Sequence, residues 1–269
     1  MQPSGTPAIS IAKNCLHQVR LFFIALQFFT RLPIPRWVGF EPDWLHHASR
    51  YFPAVGIVVA AVTAAVYWLA SLLLPPAVAV LLSTIAGIYL TGAFHEDGFA
   101  DTCDGLGGGM TRQRVLEIMT DSRIGAYGAI GIILLLALKC VTLTYLPTQS
   151  VLAALLIAHP LSRLAAASLI WRLAYAKSEG KAKPLAQRMT NKEFLIAASS
   201  ALLPALALLG LGWVPWQSLL AAIAACVLST FWLARKFTRR LGGYTGDCLG
   251  AVQQVSEISC YLALLAMVH

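Results

Sequence analysis

Apolar residues in this chain run for about twenty positions at a time. Seven stretches, 51–74, 76–94, 124–147, 150–171, 194–213, 216–234 and 249–268, are long and hydrophobic enough to cross a bilayer, which takes about 20 helical residues. Pro75-Pro76 marks a tight turn between the first two, and Pro147 and Pro215 mark two further hairpins. Ahead of these stretches the pattern changes. Leu16, Val19, Phe22, Phe23, Leu26 and Phe29 recur at helical spacing, with His17, Gln18, Arg20 and Gln27 between them. That spacing predicts an amphipathic helix lying in the membrane interface, not a cleaved leader, since no small-residue cleavage site follows. The fold class expected is all-α: a polytopic membrane bundle of about seven transmembrane helices plus the interfacial helix, in a single domain over 1–269. No repeat, low-complexity tract or linker interrupts it.

Composition supports this class. Hydrophobic residues make up 58% and charged residues 12%, against about 25% charged in a soluble domain. The net charge of +8 would suggest nucleic acid in a soluble protein, but its distribution points elsewhere. Every Lys and Arg except Lys139 and Arg163 falls in four segments: before the first stretch, between the second and third, between the fourth and fifth, and between the sixth and seventh. With seven spans these segments share one side, and the connections on the other side carry no Lys or Arg. The positive-inside rule then predicts an inner-membrane protein with a cytoplasmic N-terminus and His269 outside. Lys181 and Lys183 read as topology signals or lipid-phosphate contacts. Membrane lipids are expected partners and nucleic acid is not. The six cysteines show no C-x-x-C, so neither a zinc site nor a disulfide frame is indicated.

One polar window interrupts this lipid-soluble chain. Six of its twelve carboxylates, Glu96, Asp97, Asp101, Asp104, Glu117 and Asp121, crowd together between the second and third stretches. Such a density repels itself unless a cation neutralises it, and Mg²⁺ binds carboxylate oxygens while sharing itself with substrate phosphates. Asp97, Asp101 and Asp104 are spaced i, i+4, i+7, which places them in one stripe of a helix. Glu96 points about 100° away and is the weaker ligand candidate. Gly105, Gly107, Gly108 and Gly109 are expected to end that helix and to admit a close ligand. Glu117 and Asp121, i and i+4 on the next segment, could complete the site, and His95 could assist.

Three other features fall on the same side. Gly242, Gly243 and Gly246 flank Tyr244 and Thr245, and such a turn can offer backbone N–H groups to an anion, with Asp247 leading into a helix. Asp247, Gly250, Gln254 and Glu257 then lie on one side of the last span, with Glu257 about 15 Å along it from Asp247. Arg163, one turn after His159, is a second ionisable residue inside a span, where a functional role is the default. It can pair with a buried carboxylate or hold substrate phosphate. Lys139 has no evident partner in sequence. Arg123, in Asp121-Ser122-Arg123, suits a bidentate phosphate contact.

TRLPIP (30–35), RYFPAVG (50–56), FHEDGFADTCDGLGGG (94–109), DSRIGAYG (121–128) and GGYTGDCLGA (242–251), followed by Glu257, resemble the cobalamin synthase family, the adenosylcobinamide-GDP ribazoletransferases. Tyr244 is a local departure from that pattern. The resemblance implies an integral membrane enzyme that joins adenosylcobinamide-GDP to α-ribazole or its 5′-phosphate, releases GMP and requires Mg²⁺. It is compatible with a homo-oligomer or with association with other cobalamin-assembly enzymes. A ribose hydroxyl would attack the phosphorus attached to cobinamide, a reaction in which positioning and charge neutralisation do most of the catalysis. On this reading Asp97, Asp101 and Asp104 hold the metal, with Asp121 or Asp247 completing it. Asp101 or Asp121 accepts the hydroxyl proton. Arg123 and Arg163 steady phosphate oxygens, while His95, Gly243, Thr245, Gly246, Gln254 and Glu257 contact substrate.

Two other classes compete. Asp101-x-x-Asp104-Gly105 matches the start of the CDP-alcohol phosphotransferase pattern, but the rest of that pattern is missing. An ion-coupled transporter could use Glu257, Arg163 and the acidic window, yet no inverted repeat with broken spans is present.

Overall fold

The fold comes from a computed structural model that describes residues 7–176 and 188–268, with the side chains of 7–13 and of Pro42 left out. Lys177, Lys181 and Lys183, read above as topology signals, lie outside the described residues. Within them the chain is helical: α1 (Pro7–Phe29), α2 (Pro42–Ala48), α3 (Phe52–Ser71), α4 (Pro76–Thr91), α5 (Phe94–Gly108), α6 (Arg112–Ile118), α7 (Ala126–Thr144), α8 (Thr148–Arg172), α9 (Asn191–Gly210), α10 (Trp216–Leu241) and α11 (Gly246–Ala266). Proline opens α4 and stands immediately before α8 and α10, so each hairpin expected from sequence is present.

Six single helices are long and apolar enough to cross a membrane, and the α4–α5 pair would make a seventh as one broken span. The protein is therefore a multi-pass helical membrane protein. Its second span differs from the stretch 76–94 read off the sequence. α4 stops at Thr91, and α5 leaves it at 89°. The elbow is set by two consecutive left-handed residues, Gly92 (φ 66°) and Ala93 (φ 58°). Gly92 adopts this conformation freely, whereas alanine pays a steric penalty there. Arg31 braces the elbow: its backbone N–H donates to Leu90 O at 2.8 Å, and its guanidinium lies 5.3 Å from the Tyr89 ring.

α8 and α11 form the centre, with 83% and 67% of their apolar windows buried. α3 packs along α8, close enough that a Cβ at Gly56 would lie 2.7 Å from His159 O. α5 wedges between α11 and α7. A Cβ at Gly98 would sit 3.0 Å from Asp247 Cα, and one at Gly250 would sit 2.9 Å from His95 O. These glycines set the crossing distance between α5 and α11.

α1 is a helix as expected, but its packed face is rotated from the one its spacing suggested. Leu21, Ile24, Ala25, Leu26 and Phe29 are buried, while Leu16 and Val19 stay exposed. Its neighbourhood is tied to α9 through Glu193. That carboxylate closes a capping box with Thr190 and also meets Arg50 and His47, the latter at 2.7 Å.

Candidate functional site

The acidic stripe faces three environments in turn. Asp97 is exposed, Asp101 is half-buried and Asp104 is buried. Asp104 has a structural partner that its spacing did not reveal. Gly125 N–H donates to its Oδ2 at 2.7 Å and Gly128 N–H to its Oδ1 at 2.8 Å. The carboxylate thus caps the N-terminus of α7 from another helix, satisfying two open donors and meeting the positive end of the helix dipole. A Cβ at Gly125 or Gly128 would strike that carboxylate, which accounts for both glycines.

Asp97 and Asp101 stand on the flank of α5 beside its contact with Asp247, at the N-terminus of α11. Thr245 caps α11, its Oγ1 accepting from Cys248 N–H at 3.3 Å and donating to Asp247 Oδ2 at 3.3 Å. Among the described residues, no three His, Cys, Asp or Glu side chains converge as a cage for a metal ion. Mg²⁺ does not require a closed cage, because that ion keeps waters and takes its remaining ligands from substrate phosphates.

The glycines after Asp104 are spent on packing more than on ligand access. A Cβ at Gly105 would lie 2.5 Å from the Met119 side chain, at Gly107 2.6 Å from the Tyr127 ring and at Gly109 2.7 Å from Val115. Gly108 alone of this run has ordinary room. α6 ends at Ile118, so Glu117 and Asp121 do not share a helix face. Glu117 bonds Arg114 and Gln113, while Asp121 sits in an exposed turn and grips Arg123 with both oxygens, at 3.0 and 2.7 Å. The Arg123 hydrogen bonds hold the Asp121 carboxyl down at about 2.

The glycine turn before α11 is partly committed as well. Tyr244 is buried and bridges to the segment after α8: its N–H donates to Ala174 O at 3.0 Å, and its carbonyl accepts from Ala176 N–H at 2.8 Å. Burial raises the Tyr244 hydroxyl's pKa. A Cβ at Gly243 would run into Ala174 O, whereas Gly246 faces open space. Arg112 ties the same turn down, donating to Leu241 O at 2.7 Å and to Ala176 O at 2.6 Å.

Beneath this rim the structure gathers His95, Arg163, Gln254 and Glu257 around one polar cavity, with Glu96, Lys139 and His159. Glu257 is its hub. It accepts from Lys139 Nζ at 2.5 Å, Gln253 Nε2 at 2.6 Å and Tyr261 Oη at 3.2 Å, and His159 Nδ1 lies 3.1 Å away. Glu96 accepts from Gln254 at 2.9 Å, and Arg163 Nη1 donates to His159 O at 3.1 Å. Glu96 Oε2 and Arg163 Nε are buried without a partner, an arrangement that calls for a water or an incoming polar group. The cavity measures about 20 Å³, room for roughly one water. Sequence reasoning missed the part played by Lys139. An ionisable residue inside a span was the available signal, but its partner is 118 residues away. His95 stacks on Phe29 at 5.5 Å and closes the cavity under α5.

A helical membrane bundle with an acidic crosswise helix at one end and a buried charged hub below it defines the class: a multi-pass membrane protein with a polar candidate site. The chain belongs to the cobalamin-5-phosphate synthase family, whose model matches residues 21–265. It is 48% identical to the adenosylcobinamide-GDP ribazoletransferase of Leptothrix cholodnii, over 93% of this chain and 97% of that protein. It is 45% identical to the enzyme of the same name from Shewanella frigidimarina, over 94% and 96%, and 47% identical to that of Shewanella halifaxensis, over 93% and 96%. The protein is thus a transferase of cobalamin biosynthesis. No solved structure matches the chain.

Proposed function

We propose that this protein joins adenosylcobinamide-GDP to α-ribazole or its 5′-phosphate and releases GMP, at the rim formed by Asp97, Asp101 and Asp247. Family membership supports the reaction, and the observation that carries the site is the crosswise placement of α5. Gly98, which packs on Asp247 at the start of α11, is the neighbour of Asp97 and lies three residues before Asp101 on this helix. Asp97, Asp101 and Asp247 would hold Mg²⁺, which when bound neutralises diphosphate charge. Asp104 supports this site from behind by fixing α7 to α5.

The ribose hydroxyl proton is assigned to Asp101. Asp121, the other candidate, is a poor base with its carboxyl held at about 2 by Arg123, because proton acceptance is most effective when the pKa lies near the working pH. Arg123 is exposed, next to the start of α7, and has guanidinium donors left to meet a phosphate oxygen while it keeps Asp121. Gly246 faces open space and can admit substrate at the start of α11, whereas Thr245, read from sequence as a substrate contact, is fully buried and serves as the cap of that helix. His95, Arg163, Gln254 and Glu257 lie under α5 in a cavity too small for substrate, so contact with them requires α5 to shift. The excess of Lys and Arg in the segments at the rim end supports a cytoplasmic rim, with the N-terminus inside and the C-terminus outside.

The test is GMP release by purified protein supplied with adenosylcobinamide-GDP and α-ribazole across a Mg²⁺ titration. Asp101→Asn is expected to lose at least about a hundredfold in turnover, the scale of removing a positioned proton acceptor, with membrane insertion unchanged. Normal turnover of this variant at limiting Mg²⁺ would remove the assignment. A CDP-alcohol with an alcohol acceptor is expected to yield no CMP.

A further inference from the structure

On another side of the bundle, α8, α9 and α10 enclose an apolar groove of about 740 Å³ that shares no lining residue with the polar cavity. Leu161, Leu164, Leu169, Leu202 and Ile223 are among its walls. The hydroxyls that line it are already used within their own helices: Ser168 donates to Ala165 O at 2.6 Å, Thr230 to Cys226 O at 2.6 Å and Thr238 to Ala234 O at 2.9 Å. The walls therefore present mostly hydrocarbon, with the donor of each of these hydroxyls already used.

One end of the groove is different. Arg172 closes α8, and Arg235 and Arg239 stand i and i+4 in the last two turns of α10. The Arg172 guanidinium lies 3.6 Å from the Trp171 ring centroid. That ring stacks on Phe194 at 4.1 Å, and its indole N–H donates to Asn191 Oδ1 at 2.8 Å. Arg235 lies 5.5 Å from the Phe231 ring. None of the three arginines forms an ion pair among the described residues. From Leu161 to Arg172 the groove extends about 17 Å along α8, close to one hydrocarbon leaflet of roughly 15 Å.

We propose that this groove is a binding site for an anionic phospholipid, with an acyl chain along the apolar walls and the headgroup phosphate on Arg172, Arg235 and Arg239. Length, dryness and the location of charge at one end match a lipid. A net negative headgroup matches three guanidinium groups that form no ion pair among the described residues, whereas a zwitterionic headgroup carries its own compensating ammonium. The many polar groups of a nucleotide or cobinamide substrate would meet mostly hydrocarbon on these walls, at a desolvation cost.

Native mass spectrometry of the purified full-length protein, offered equal phosphatidylglycerol and phosphatidylcholine in detergent, tests this. The wild type is expected to retain phosphatidylglycerol preferentially. The Arg235→Gln/Arg239→Gln double variant should lower that preference by about fivefold per arginine, and Ile223→Trp, which fills the groove, should reduce retention of both lipids. The arginine variants change exposed side chains only, so they decide the matter even if Ile223→Trp does not fold. Equal retention of the two lipids by the wild type overturns the proposal, as does an unchanged ratio in the arginine variant. Displacement by inorganic phosphate alone would mark a headgroup-sized anion site, and displacement by adenosylcobinamide-GDP would assign the groove to substrate. Either result also overturns it.

Discussion

Asp101 and Asp104 are three residues apart on one helix, yet their surroundings give them different work. Asp104 accepts two backbone N–H groups from the first turn of α7 and is buried. Its replacement by alanine leaves two donors open in a closed place. An N-terminal cap of this kind is worth about 1 kcal/mol, within a range of 0.5–2. Asp104→Ala is therefore expected to lower the thermal midpoint of the detergent-solubilised protein, read by intrinsic fluorescence, and to reduce turnover through a displaced α7. Asp101→Asn should leave that midpoint within error and still abolish GMP release. Equal midpoints for Asp104→Ala and wild type would show that the cap contributes nothing. The sequence made the shared stripe legible, because helical periodicity is a local property. It could not distinguish ligand from cap, because the cap's partners begin 21 residues downstream, beyond a turn whose path no periodicity encodes.

At the scale of elements, the site depends on how closely α5 approaches α11. The contact is backbone against backbone, Gly98 on Asp247 and Gly250 on the His95 carbonyl, so no side-chain rotation can relieve an added methyl. Gly98→Ala is expected to cost about 1–3 kcal/mol, the usual cost of overpacking, and to lower turnover by moving Asp247 away from Asp97 and Asp101. Gly108→Ala is the matched control on the same helix, since its Cβ would meet only Ile118 at 3.5 Å. GMP release and thermal midpoint measured on both variants check the pair, and equal effects would remove the special role of the crossing. Helices α3, α7, α8, α9, α10 and α11 follow the apolar stretches closely, because a bilayer demands long runs of nonpolar side chains and such runs are visible in one dimension. The elbow between α4 and α5 left no such mark. Gly92 and Ala93 are small residues within an apolar run, and only their positive φ shows the turn. The Lys139–Glu257 pair was equally illegible, since it needs the arrangement of α7 beside α11 before either charge has a partner.

For the whole molecule, that elbow decides the topology. If α4 and α5 together enter and leave by one side, the bundle has six crossings and both termini share a face. If α4 crosses alone, there are seven. α4 is 16 residues long, about 24 Å, against a hydrocarbon core of about 30 Å. That is short for a full crossing, but the exposed aromatic residues favour one. Trp68, Tyr145, Trp213 and Trp216 lie near the ends of α3, α7, α9 and α10 at the hairpin turns, while Tyr89, Tyr127 and Trp232 lie toward the opposite ends of their helices. Two aromatic belts of this kind mark two interfaces, and Tyr89 at the end of α4 belongs to the one opposite Trp68. Leu73 and Met110 report the outcome directly, because each is almost fully exposed, at 88% and 90%, and they bracket the α4–α5 pair. A cysteine added at either position, in a background with Cys15, Cys103 and Cys140 replaced by Ser so that only buried native thiols remain, is expected to react with a membrane-impermeant thiol reagent from opposite sides of sealed vesicles, Met110→Cys from the cytoplasmic side. Labelling of both from one side would make α4–α5 a re-entrant element, reduce the crossings to six and place the C-terminus on the same face as the N-terminus.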